Sequence, residues 1–123
     1  MCRARTRLLL MHEFSLCESI LDSIAEQARR HGFRRVRRVV LDIGELANVE
    51  LEALRFAFEI TRCDTLAATA ELTIIERPGR VDCADCARSG VVHTHFDPCP
   101  HCGSHRWRLT GGHELRIREL EVE

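Results

Sequence analysis

The sequence predicts an α+β fold in which two helices pack on a three-stranded β-sheet, with an inserted CxxC–CxxC zinc-ribbon module. Three observations predict it. Apolar residues recur at helical spacing in two segments, near 16–28 and 49–60. They alternate at strand spacing in three others. Two Cys-x2-Cys pairs then fall between the second and third of those strands.

In the first helix, Leu16, Ile20, Ile24 and Ala28 follow i, i+4 spacing, and Cys17, Leu21 and Ala25 widen the stripe. Ser15 and Glu18 have the spacing of a capping box, which predicts a start near Ser15; Gly32 is the natural stop. Residues 35–43 set Val36, Val39, Leu41 and Ile43 against Arg38, Val40 and Asp42, predicting a half-buried strand ended by Gly44. Val49 to Ile60 returns to helical spacing with Leu51, Leu54 and Phe58 inward. Ala70 to Glu76 alternates as a second strand that Pro78-Gly79 closes, and Glu114 to Glu123 alternates as the last. Cys17 and Cys63 read as packed residues of the two helical segments.

Composition narrows the class. Hydrophobic residues at 45% with charged residues at 30% describe a globular chain rather than a disordered one. No apolar run approaches the roughly 20 residues that cross a bilayer. The opening MCRARTRLLL has an apolar stretch of only Leu8 to Leu10, short of the about 7–15 residues of a signal peptide. The expected compartment is the cytoplasm, with no membrane partner. A net charge of −1 gives no bulk attraction to nucleic acid, and the all-arginine basic set reads as compositional bias.

Cys83-x2-Cys86 and Cys99-x2-Cys102 are the strongest motif. Each pair makes a tight turn that aims two sulfurs at one ion, and four thiolates in tetrahedral array suit Zn(II). Pro98 and Pro100 stiffen the second turn, and Gly103 lets the backbone fold back. The segment 81–106 is too short to bury a core of its own, so metal must stabilise it. A closed set of four thiolates leaves no position for water, so the zinc is expected to be structural. Redox CxxC motifs usually occur singly, at a helix start, which disfavours that reading. His93, His95, His101 and His105 crowd the same region. They read as exposed loop histidines, with His93 and His95 on one face of a hairpin as the better pair for a transient metal.

The order of motifs is more specific than any one of them. MHEFSL, DIGELANVE, LRFAF, a strand ending ERPG, CPHCGS, and a closing GGHELRIRELEVE together resemble the HypA/HybF family of hydrogenase nickel-insertion proteins. The resemblance covers about residues 11–123. It implies a nickel metallochaperone that binds Ni(II) as transient cargo at its MHE motif and delivers it for maturation of [NiFe]-hydrogenase. Carried over by motif, His12 is the nickel ligand, Glu13 its neighbouring contributor, and Cys83, Cys86, Cys99 and Cys102 hold structural Zn(II). The implied partners are a HypB-type GTPase and the [NiFe]-hydrogenase large subunit, with urease maturation proteins for some members. The implied protein is not an enzyme.

Three domains follow: an N-terminal extension over 1–10, a nickel-binding α+β domain over 11–80 and 107–123, and the zinc-binding ribbon over 81–106. The family begins at its MHE methionine, so translation is expected to start at Met11; a site using side chains alone is the alternative. Among rival functions, a nucleic-acid-binding ribbon would need a basic face, yet Arg88 and Arg106 are offset by Asp82, Asp85 and Asp97. A zinc enzyme would need an open coordination position. A zinc-ribbon-stabilised adaptor without a nickel site is the remaining alternative.

Overall fold

The computed structural model describes residues 11–123. The N-terminal extension expected over 1–10 lies outside the described residues. The elements are α1 (Met11–His31), β1 (Val36–Gly44), α2 (Leu51–Thr61), β2 (Glu71–Arg77), β3 (Gly79–Cys83), β4 (Ser89–Val92), β5 (Trp107–Gly111) and β6 (Leu115–Val122). Two three-stranded sheets result, one in the order β2-β1-β6 and one in the order β4-β3-β5. The α+β class, both helices and the first sheet are as the sequence predicts. The second sheet, which carries the cysteine loops, comes in addition.

The described residues form two compact units, one of residues 11–40, 50–73 and 117–123, the other of 41–49 and 74–116. In the first unit α1 buries Phe14, Cys17, Ile20 and Ile24, and α2 buries Leu54, Ala57 and Phe58. The predicted start near Ser15 is superseded: helix already covers Met11–Phe14, because Phe14 extends the buried stripe one turn upstream. Residues fully buried on this stripe, such as Ile24, Leu54 and Phe58, each contribute about 1.5–3 kcal/mol of transfer free energy. The Cys17 thiol lies 3.6 Å from the Leu54 carbonyl, tying the helices together. Burial pushes that thiol up to about 11, so it stays neutral. Glu50 caps α2 by accepting from the backbone N–H groups of Ala53 at 2.7 Å and Glu52 at 3.4 Å. α1 ends at Gly32, whose φ of 73° and amide bond to the Ala28 carbonyl at 2.8 Å form the expected left-handed stop.

β1 departs from the predicted alternation. From Val39 to Gly44 every residue is buried, so both faces of this central strand are covered. The buried set includes Asp42, whose Oδ1 accepts from Arg77 Nε at 3.1 Å and whose Oδ2 accepts from Arg116 Nε at 3.3 Å. Burial opposes the charge on Asp42, but the two guanidinium groups outweigh it and hold the carboxyl below the usual carboxylate range.

In the second unit three chain segments meet backbone to backbone. The Gly44 N–H donates to the Glu114 carbonyl at 2.8 Å, Glu45 to Arg77 at 2.7 Å, and Leu46 to Gly112 at 3.0 Å. No side chain fits there. A Cβ on Gly44 would sit 2.0 Å from the Gly112 carbonyl oxygen, and one on Gly112 would sit 2.2 Å from that of Pro78. Gly112 also has φ +80°. Next to this junction, β3 pairs antiparallel with β4 (Val81 opposite Gly90) and with β5 (Val81 opposite Leu109). Leu46, Val81 and Val92 form a small core with Trp107 and Leu109 packed against it.

Gly32 and Gly112, both left-handed, should therefore respond differently to alanine. Gly32→Ala meets nothing within 4 Å and should cost about 1 kcal/mol of backbone strain. Gly112→Ala adds a clash with backbone and should cost about 3 kcal/mol or more. Urea denaturation of both variants checks this, and equal losses would contradict it.

Candidate metal centre

Two loops with the same backbone plan bring the four cysteines together. In the first, between β3 and β4, the Cys83 N–H donates to the Arg88 carbonyl at 3.0 Å and the Ala87 N–H to the Cys83 carbonyl at 3.1 Å. In the second, before β5, the Cys99 N–H donates to Ser104 at 2.7 Å and the Gly103 N–H to Cys99 at 2.9 Å. Each loop turns on a left-handed residue just after its second cysteine, Ala87 (φ 59°) and Gly103 (φ 79°). The left-handed turn predicted from Gly103 is thus present twice, once on an alanine that must bear the strain.

The four Sγ atoms all lie within 4.8 Å of one another. Cys83 and Cys102 are 3.6 Å apart, Cys86 and Cys99 3.7 Å. Sulfurs about 2.3 Å from a common tetrahedral ion would be about 3.8 Å apart, so the donor set and its spacing fit Zn(II). The loops supply N–H groups as well as sulfur. The Asp85 amide points at Cys83 Sγ at 3.4 Å. The His101 and Cys102 amides favour the Cys99 thiolate and hold its thiol down at about 6. At Cys102 the Ser104 amide acts the same way, but lost hydration and three neighbouring sulfurs push it up to about 12. Four thiolates cannot share this volume without a cation between them.

Polar residues beyond the cysteines fix the loops. Asp97 accepts from the His93 N–H at 2.8 Å and the Thr94 hydroxyl at 2.6 Å, while its own carbonyl accepts from Trp107 Nε1 at 2.8 Å. Asp85 takes the Ser104 hydroxyl and pairs with Arg106 at 3.2 Å. Sequence reasoning counted Asp85 and Asp97 only as charges. The Thr94-x2-Asp97 spacing, a side-chain-closed turn, was the available signal for the second.

The loop histidines do not gather into a metal group. His93 Nδ1 lies 2.8 Å from Glu45 Oε1, and that carboxylate raises its pKa. His95 Nε2 lies 3.3 Å from the Leu46 carbonyl, and His101 Nε2 2.9 Å from that of Ser89. His101 thus turns to a backbone acceptor. His93 and His95 lie beyond the end of β4 rather than on a hairpin strand. At the other expected site, His12 and Glu13 stand in the first turn of α1, His12 exposed and Glu13 only 5% exposed. Neighbouring residues on a helix point about 100° apart, so the two side chains diverge. Among the described residues, the four cysteines are the group of three or more His, Cys, Asp or Glu that could hold an ion.

The comparisons agree with this architecture. The model of the family described as "Hydrogenase/urease nickel incorporation, metallochaperone, hypA" matches residues 11–122. A hydrogenase maturation factor HypA from Alkalilimnicola ehrlichii is 51% identical over 113 residues, covering 92% of this chain and all of that protein. The HypA of Rhodopseudomonas palustris strain TIE-1 is 48% identical over the same shares. The solution structure of the Ni metallochaperone HypA from Helicobacter pylori superposes with TM-score 0.67 at 28% identity, covering 89% of this chain and 96% of that one. A chain matched from Met11 nearly to its end, with the cysteines and the fold in place, belongs to the HypA family of hydrogenase maturation metallochaperones, which are not enzymes.

Proposed function

We propose that this protein carries Ni(II) as transient cargo for [NiFe]-hydrogenase maturation, and that Zn(II) on Cys83, Cys86, Cys99 and Cys102 is structural. The observation that carries the reading is the start of the family match at Met11, directly before an exposed His12. Ni(II) favours nitrogen donors in a planar array. An imidazole open to solvent at a helix end can supply one and release the ion again, whereas a cage of four thiolates cannot. Because Glu13 is buried, His12 is the essential ligand and Glu13 a lesser contributor.

The carrier works with a HypB-type GTPase and the large subunit of [NiFe]-hydrogenase, and serves urease maturation where that enzyme is present. The work takes place in the cytoplasm. In support, no described helix is long and apolar enough to cross a membrane. When bound, the zinc supplies no catalysis; it ties the two cysteine loops into one fold.

Titration with Ni(II), on chains beginning at Met1 and at Met11, tests the cargo site. His12→Ala should abolish nickel binding while zinc content and helical circular dichroism stay unchanged. Retained nickel, or unfolding, would contradict the assignment and favour a zinc-stabilised adaptor. Cys83→Ala or Cys102→Ala should release one zinc per chain and disorder the loops, with the α1–α2 helical signal kept. Ala87→Gly should relieve the left-handed strain and stabilise the zinc-loaded loops by about 1 kcal/mol, read as slower zinc loss to a chelator; unchanged or faster loss would count against the shared loop plan.

A further inference from the structure

A cleft of about 370 Å³ in the second unit is built around arginine. Arg77 at the end of β2, Arg80 on β3 and Arg116 on β6 line it, with Asp42, Gly112 and Glu114 among the other lining residues. Asp42 is buried and spends both carboxylate oxygens on two of the arginines: Oδ1 on Arg77 Nε at 3.1 Å, Oδ2 on Arg116 Nε at 3.3 Å and its terminal nitrogen at 3.2 Å. That clamp fixes the two guanidinium planes. It also leaves donors over, since each guanidinium has five N–H groups and Arg77 uses one. The Arg80 side chain has neither an ion pair nor a hydrogen bond among the described residues. Its stem lies across Gly111, where even a Cβ would come 3.8 Å from its own. Arg106 just before β5 and Arg108 on it differ, each facing its own carboxylate, Asp85 and Asp82.

Charge decides the class of ligand. Three guanidinium groups against Asp42 and Glu114 leave one positive charge in excess. One carboxylate balances that; a phosphate dianion would overcompensate. We infer that the cleft formed by Arg77, Arg80 and Arg116 over the buried Asp42 receives an aspartate or glutamate side chain of a partner protein. Paired N–H donors on a carboxylate give strong, oriented contacts, and guanidinium is the group that supplies them. Asp42 and Arg116 hold the geometry, while Arg80 and the free edge of Arg77 make the contact. This surface uses none of the residues assigned to nickel or zinc.

The test is an arginine Nε–Hε NMR titration of the full chain with three probes: a capped Gly-Glu-Gly peptide, its Gly-Gln-Gly counterpart, and inorganic phosphate. The glutamate peptide should shift the Arg77, Arg80 and Arg116 signals saturably, and the glutamine peptide should not. Arg80→Gln should weaken the glutamate peptide at least tenfold with the backbone amide spectrum otherwise kept. Arg88→Gln, which lies outside the cleft, should leave it unchanged. Equal shifts with both peptides, unaltered binding in Arg80→Gln, or tighter binding of phosphate than of the glutamate peptide would each overturn the inference.

Discussion

Four cysteine sulfurs confined within 4.8 Å of one another are the constraint on which the second unit depends. As thiolates they repel unless a cation lies among them, and the loops that present them have little apolar packing beneath them. Among the described residues, the adjoining core buries Leu46, Val81 and Val92, with Trp107 and Leu109 half-covered. Such a core cannot by itself offset the entropy of ordering the loops over 84–88 and 93–106. A cation held there would close the sheet as well: β3 runs into Cys83, opposite Trp107 at the start of β5, so it would tie together strands that the sequence separates. Asp85, Asp97 and Ser104 hold the same loops by engaging loop hydroxyls, amides and guanidinium groups.

Elements with a strong single periodicity were legible in the sequence. The α1 stripe, α2 and the first sheet declared themselves because one face of each is buried and the spacing shows it. Legibility failed where neighbours rather than periodicity decide. Val40 and Asp42 read as the outer face of β1, yet both are buried, Asp42 under the guanidinium groups of Arg77 and Arg116. β3 and β5 were missed because each is five residues long and framed by cysteines, glycines and charge. Ser15 promised a helix start, but burial of Phe14 carries the helix past it. The cysteine cluster was fully legible, since spacing alone fixes which sulfurs converge. Asp42 was not: a carboxylate at that position gains meaning only when Arg77 and Arg116 arrive from strands 35 and 74 residues away.

The two proposed metals place opposite demands on the chain. A structural ion must be enclosed, fully ligated and slow to leave, and four sulfurs with backbone amides directed at them provide that. A cargo ion must be gripped by few groups at an accessible position, and an exposed histidine beside the first buried turn of α1 meets that demand. The family to which the chain belongs is described by nickel incorporation, and this division of labour gives that description a physical basis.

The measurement that bears most directly on the central constraint is zinc K-edge X-ray absorption on the purified, zinc-loaded protein. Four sulfur scatterers at about 2.3 Å, with no nitrogen or oxygen shell, are predicted. A mixed shell that includes imidazole nitrogen would contradict the account, because a loop histidine would then be holding what the four cysteines are said to hold alone.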